Sequence, residues 1–155
     1  MNLMLLFTIV KSEVYTIREN RPTGLALTIT DDNVGFTEYD PTSPEQKIEF
    51  KDGALMRNDK RVCASPNSSK VKLCASGRPN NANFELIQYG TMFKVGTRGS
   101  HVLVIGDYNS STEMYDANVI DERKVTNYWF IIEPRIDDFL YSTFETSRKM
   151  LTILD

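Results

Sequence analysis

The 155-residue chain holds a single histidine, which removes the histidine clusters on which many metal sites and nucleophilic mechanisms depend. Two cysteines are present, too few to imply a zinc site or a framework of disulfides. No glycine-rich phosphate loop, nucleophile motif or metal-spaced cluster occurs in the sequence. Lysine and arginine form no run, and a net charge of −3 with a pI near 5.3 leaves no electrostatic footprint for nucleic acid. No apolar stretch reaches the ~18 residues that suggest a membrane-spanning helix. These absences argue against an enzyme, a cofactor, a metal, a nucleic-acid partner and a membrane span.

What the chain does contain is short strands divided by turns. Residues 14–50 read as four of them: Tyr15–Arg18, Gly24–Thr30, Val34–Tyr39 and Ile48–Phe50. Asp31-Asp32-Asn33 and Pro41–Pro44 supply the turn chemistry between them. The unit then recurs. Opening strands fall at Tyr15-Thr16-Ile17, Leu55-Met56-Arg57 and Phe93-Lys94-Val95, and second strands at Leu25–Ile29, Arg61–Ser65 and His101–Ile105. Third strands fall at Val34-Gly35-Phe36, Val71-Lys72-Leu73 and Thr112-Glu113-Met114. Closing strands fall at Ile48-Glu49-Phe50, Phe84-Glu85-Leu86 and Trp129-Phe130-Ile131. Each landmark returns after 36 to 45 residues, the signature of a repeat architecture. Turns are expected at Asp31–Asn33, Pro79–Asn81, Gly96–Ser100 and Gly106–Ser111.

Three four-strand units are too few for a typical propeller and fit a barrel with pseudo-threefold symmetry. The expected class is all-β, a β-trefoil over residues 14–135 with repeats at about 14–52, 53–90 and 91–135. Inward residues on this reading are Ile17, Leu27, Phe36, Ile48, Leu55, Leu73, Phe84, Phe93, Leu103, Met114 and Trp129. Beyond Pro134 the pattern changes: Leu140, Phe144, Ser147, Leu151 and Leu154 share one helical face, with Asp137 and Asp138 in the first turn. A helix over 137–152, within a C-terminal extension at 136–155, is the expectation, either capping the barrel or docking a partner.

The unit resembles the ricin B-type lectin domain through Tyr15-Thr16-Ile17-Arg18, Thr23-Gly24-Leu25-Ala26-Leu27 and Pro44-Glu45-Gln46-Lys47-Ile48-Glu49-Phe50. That family closes each repeat with Gln-x-Trp, and the equivalents here are Gln46-Lys47-Ile48, Ala82-Asn83-Phe84 and Asn127-Tyr128-Trp129. The resemblance implies a galactose-type site per repeat, built from an Asp, a stacking aromatic and a nearby polar residue. The Asp position is held by Thr28, Ala64 and Val104, the aromatic position by Thr37, Cys74 and Tyr115, and the polar position by Glu45, Asn81 and Thr126. No repeat keeps the Asp. The third repeat comes nearest, with Asp107, Glu113, Tyr115 and Asn127 as the candidate ligand-binding residues.

Two functions are carried forward. One is a non-enzymatic module that recognises a glycan or glycoprotein. The other is a protein-binding trefoil, protease-inhibitor-like or an assembly partner, that has lost sugar binding and uses the loops Thr42–Glu45, Pro66–Ser69, Gly77–Asn81 and Asp107–Ser111. A hairpin centred on Pro66–Ser69 sets Cys63 roughly opposite Cys74, so the two are either a cross-strand disulfide or a pair of buried thiols. The apolar segment at 1–13 reads as a signal peptide or an extra strand. Secretion follows from the first and a cytoplasmic location from the second. Sequons at Asn67 and Asn109 fall in expected turns.

Overall fold

A computed structural model of the protein describes residues 14–135, apart from 23, 65–67, 76–82 and 98. The N-terminal apolar segment, the helix expected at 137–152 and the turn expected at Pro79–Asn81 lie outside the described residues.

Twelve strands are present among those residues. They are β1 (Val14–Glu19), β2 (Leu25–Ile29), β3 (Val34–Glu38), β4 (Ile48–Lys51), β5 (Ala54–Arg57) and β6 (Lys60–Ala64). Then follow β7 (Val71–Leu73), β8 (Glu85–Tyr89), β9 (Met92–Thr97), β10 (His101–Asn109), β11 (Met114–Asp121) and β12 (Phe130–Pro134). Short 3-10 turns occur at Pro44–Gln46 and Glu122–Lys124. All pairing is antiparallel, as short connections allow.

The first and last strands close the structure. Tyr15 on β1 lies opposite Pro134 on β12, and the ladder runs to Glu19 opposite Phe130. From β12 the pairing continues through β9, β10, β11, β3 and β2 back to β1, so the sheet returns on itself as a barrel. Closure removes the edges that an open sheet would expose along that path. Strands β4 to β7 extend from β1 in sequence, and β8 pairs with β9.

The core follows from strand alternation, which sends every second side chain inward. Ile17, Leu27, Phe36, Ile48, Leu55, Val95 and Leu103 are fully enclosed. Phe36 and Phe130 stack nearly parallel at 5.7 Å between ring centroids. Each such side chain contributes roughly 1.5–3 kcal/mol on burial. Three residues expected inside, Phe93, Met114 and Trp129, are not in the core cluster, although Met114 is buried. Phe93 is half-buried, and Trp129 is turned away while Phe130 beside it is buried. With a period of two, one of two successive residues faces the core, and here it is Phe130, which stacks on Phe36.

The β10–β11 hairpin also differs from expectation. A turn was expected at Gly106–Ser111 and a third strand at 112–114, whereas β10 continues to Asn109 and the turn occupies residues 110–113. The ladder is regular from His101↔Asp121 to Ile105↔Ala117, then shifts, and resumes at Tyr108↔Tyr115. Gly106 and Asp107 therefore face Asp116 alone, as a β-bulge. A Cβ on Gly106 would meet the end of the Asn118 side chain, so a larger residue in the bulge requires that amide to move.

Candidate functional site

The bulge turns the tip of the β10–β11 hairpin and places two tyrosines on its surface. Tyr108 is 56% exposed and Tyr115 38%. Their rings meet edge to face, 5.3 Å between centroids and 67° between planes, the geometry that the ring quadrupole favours. Beside them Asn109 Nδ2 donates to Asp116 Oδ1 at 3.3 Å, and Asn109 Oδ1 accepts from the Ser111 backbone N–H at 3.0 Å. Lys70 Nζ stands 3.5 Å from Asp116 Oδ2. The tip thus presents two exposed tyrosine rings, and the Asn109–Asp116 pair lies one residue farther along each strand.

Neighbouring strands fix this geometry. On its other edge β11 pairs with β3, Tyr115 opposite Phe36 and Asp116 opposite Gly35. A Cβ on Gly35 would stand 2.6 Å from the Tyr115 carbonyl oxygen, so glycine is what lets β3 approach. Residues before β7 also dock here: the Val119 N–H donates to the Ser69 carbonyl at 2.7 Å, and Lys70 bridges to Asn118. Cys63 and Cys74 form a disulfide across β6 and β7 with Cα atoms 5.0 Å apart, which holds the base of that docking segment. Farther along β11, the hydrogen bonds that Arg123 donates to Asp121 hold its carboxyl well below the usual carboxylate range.

The sequence-derived residues do not converge. Asp107 lies in the bulge and Glu113 in the turn, where its φ of 57° is left-handed. Both are exposed. Asn127 is exposed in the segment before β12, beside Tyr128 and Trp129 rather than the hairpin tyrosines. Tyr115 alone of the four belongs to the Tyr108–Asn109–Asp116 group. Sequence reasoning missed Tyr108, Asn109 and Asp116. A turn centred between Ser111 and Thr112 would have set Tyr108 opposite Tyr115, and that spacing was the available signal.

Thr28 and Thr37, at positions expected for a sugar site in residues 14–52, and Gln46 of the closing motif do something else. Gln46 is buried, and its Nε2 donates to Thr37 Oγ1 at 3.0 Å and to the Glu38 carbonyl at 2.8 Å. Its Oε1 accepts from the Asp40 N–H at 2.8 Å, and Thr28 and Thr37 hydroxyls lie 2.6 Å apart. Thr28, Thr37 and Gln46 are thus committed to one another. Cys74, at another expected aromatic position, is consumed by the disulfide. Among the described residues no group of three His, Cys, Asp or Glu side chains could hold a metal, and no helix is long and apolar enough to cross a membrane.

Among solved structures, the chain is similar to a ricin B-like lectin from Macrolepiota procera, determined in complex with lactose. The TM-score is 0.60 over 81% of this chain and 99% of the lectin, at 10% identity. The chain has the fold of a ricin B-like lectin. A salivary protein from Culex quiquefasciatus, of the Cysteine and Tryptophan-Rich family, shares this lectin-like fold with a TM-score of 0.52 and 15% identity, over 81% of this chain and 96% of that one. An endo-β-galactosidase from Clostridium perfringens matches at a TM-score of 0.56 and 14% identity over 79% of this chain, which spans 33% of that enzyme. No protein-family model matches the sequence, and neither does any curated protein sequence. At these identities the likeness is one of lectin fold, and chemistry has to come from the residues.

Proposed function

We propose that the protein is a non-enzymatic carbohydrate- or glycoprotein-binding module, a ricin B-type β-trefoil of three four-strand repeats in which the third repeat carries ligand recognition. The observation that carries this reading is the exposed Tyr108–Tyr115 pair on the β10–β11 hairpin, flanked by Asn109 and Asp116. A sugar ring has an apolar face that stacks on an aromatic side chain, and hydroxyls that bond to an amide and a carboxylate. Asp116 takes the part of a charged acceptor that the absent family Asp would have played, with Asp107 and Glu113 at the rim. The first two repeats are degenerate: Thr28 and Thr37 are engaged with Gln46, and Cys74 with Cys63. A disulfide belongs to an oxidising compartment, so secretion accompanies this reading.

A glycan array probed with wild type and with Tyr115→Ala tests it. Binding by the wild type and its loss in the variant support the module, and an array without signal sinks it. The alternative, a protein-binding trefoil using its exposed loops, is favoured by one observation: Thr28, Ala64 and Val104 leave every repeat without the family Asp. Replacing Asp107–Ser111 by Gly and Ser in a pull-down tests that alternative, since an unaltered partner profile would exclude the hairpin as its surface.

A further inference from the structure

The three large hydrophobic side chains exposed among the described residues are Tyr108, Tyr115 and Tyr89. The first two form the hairpin pair. Tyr89, 76% exposed, belongs to a second aromatic group. It ends β8 at the tight turn into β9, and its ring lies 5.7 Å from that of Trp129 at 51°. Trp129 in turn stacks on Tyr128 at 5.2 Å and 28°. None of the three belongs to the hydrophobic core cluster. Phe130 fills the core position against Phe36, while Tyr128 and Trp129 before it are half-buried. Three clustered rings outside the core need a reason other than packing.

Polar groups lie on the Tyr128 side of the cluster. Lys94, on β9, has its Nζ 2.9 Å from Glu122 Oε2. That hydrogen bond raises the Lys94 ammonium above its ordinary range, and the nearby Tyr128 and Glu85 add to the effect. Asn127, next to Tyr128 in the chain, is exposed. We propose that Tyr89, Tyr128 and Trp129 form a second ligand platform, separate from the β10–β11 hairpin, that stacks on a pyranose ring of a neutral saccharide. It rests on the carbohydrate reading above but on different residues.

The chemistry selects this ligand class. Each sugar hydroxyl is both donor and acceptor, and the platform offers both: N–H groups on Lys94 and Asn127, and lone pairs on Glu122 and Asn127. Lys94 and Glu122 cancel each other's charge, which favours a neutral saccharide over an acidic or phosphorylated one. A proline-rich peptide also docks on aromatic side chains. Its proline-linked amides, however, offer carbonyl acceptors without N–H donors, and would bring no donor to the free lone pairs of Glu122 and Asn127.

Trp129 is the only tryptophan in the chain, so its emission reports on this platform alone. Wild type, Tyr89→Ala and Tyr108→Ala are titrated with lactose, with cellobiose and with a polyproline peptide. Emission is followed while saturation-transfer NMR detects bound ligand at either site. The expected result is a saccharide-dependent emission change that Tyr108→Ala retains and that Tyr89→Ala weakens by about tenfold, which is ~1.4 kcal/mol. Saccharide binding that leaves Trp129 emission unchanged and survives Tyr89→Ala overturns the platform while the carbohydrate reading stands. No bound saccharide by either measurement overturns both. Emission that responds to the peptide alone makes this a peptide site and overturns the proposal.

Discussion

Tyr108 and Tyr115 stand directly opposite each other across the β10–β11 ladder, their rings 5.3 Å apart and edge to face. The bulge at Gly106-Asp107 makes this pairing, because one extra residue on β10 shifts the register by one and sets Tyr108 opposite Tyr115 instead of Met114. Asn109 and Asp116 sit next along the two strands and are bonded to each other. The exposed tyrosine pair therefore arises from a local irregularity in an otherwise regular hairpin.

Gln46 is expected to be structural. Its amide serves Thr37, Glu38 and Asp40 from a buried position. Gln46→Leu leaves the Glu38 carbonyl and the Asp40 N–H without this partner, at about 1–3 kcal/mol for each group that stays buried. Chemical denaturation should show the loss with glycan binding unchanged. An unaltered midpoint would contradict the role.

Phe130 and Trp129 should separate cleanly. Phe130→Ala removes a buried ring stacked on Phe36 and should cost about 3–5 kcal/mol. Trp129→Ala removes a half-buried ring outside the core cluster and should cost clearly less. Thermal unfolding of the two variants measures the contrast. Equal losses would mean that Trp129 packs as a core residue.

That contrast marks where sequence reading ran out. The period of the strands, the turn at Asp31–Asn33 and the inward set Ile17, Leu27, Phe36, Ile48 and Leu55 were all readable, because each depends on neighbours in the chain. Whether Trp129 or Phe130 faces inward depends on pairing with β9 and β1, which are distant in sequence. The hairpin tip was misplaced for a similar reason. Gly106 and Asp107 look like a turn, yet Tyr108 finds Tyr115 across the ladder and Gly106 clears Asn118. Tyr115 was consequently named without Tyr108. Asp116 was not among the expected site residues, although Asn109 and Lys70 hold it.

The Cys63–Cys74 disulfide closes a short loop, with a sequence separation of 11. Replacing both cysteines with serine should cost about 2–3 kcal/mol by the loop-entropy relation. The local consequence is more specific. Ser69 and Lys70, which dock on Val119, Asn118 and Asp116, lie inside that loop. Hydrogen exchange at the Val119 amide should accelerate more than at Val95 in the core. Equal acceleration would show that the disulfide acts globally rather than on this docking.

The most direct test of glycan recognition by the β10–β11 hairpin is a lactose titration followed through backbone amide shifts. The predicted result is a saturable set of shifts at Tyr108, Asn109, Tyr115 and Asp116, abolished in Tyr115→Ala. Hairpin amides that stay unmoved at saturating lactose, while shifts appear elsewhere or nowhere, would contradict it.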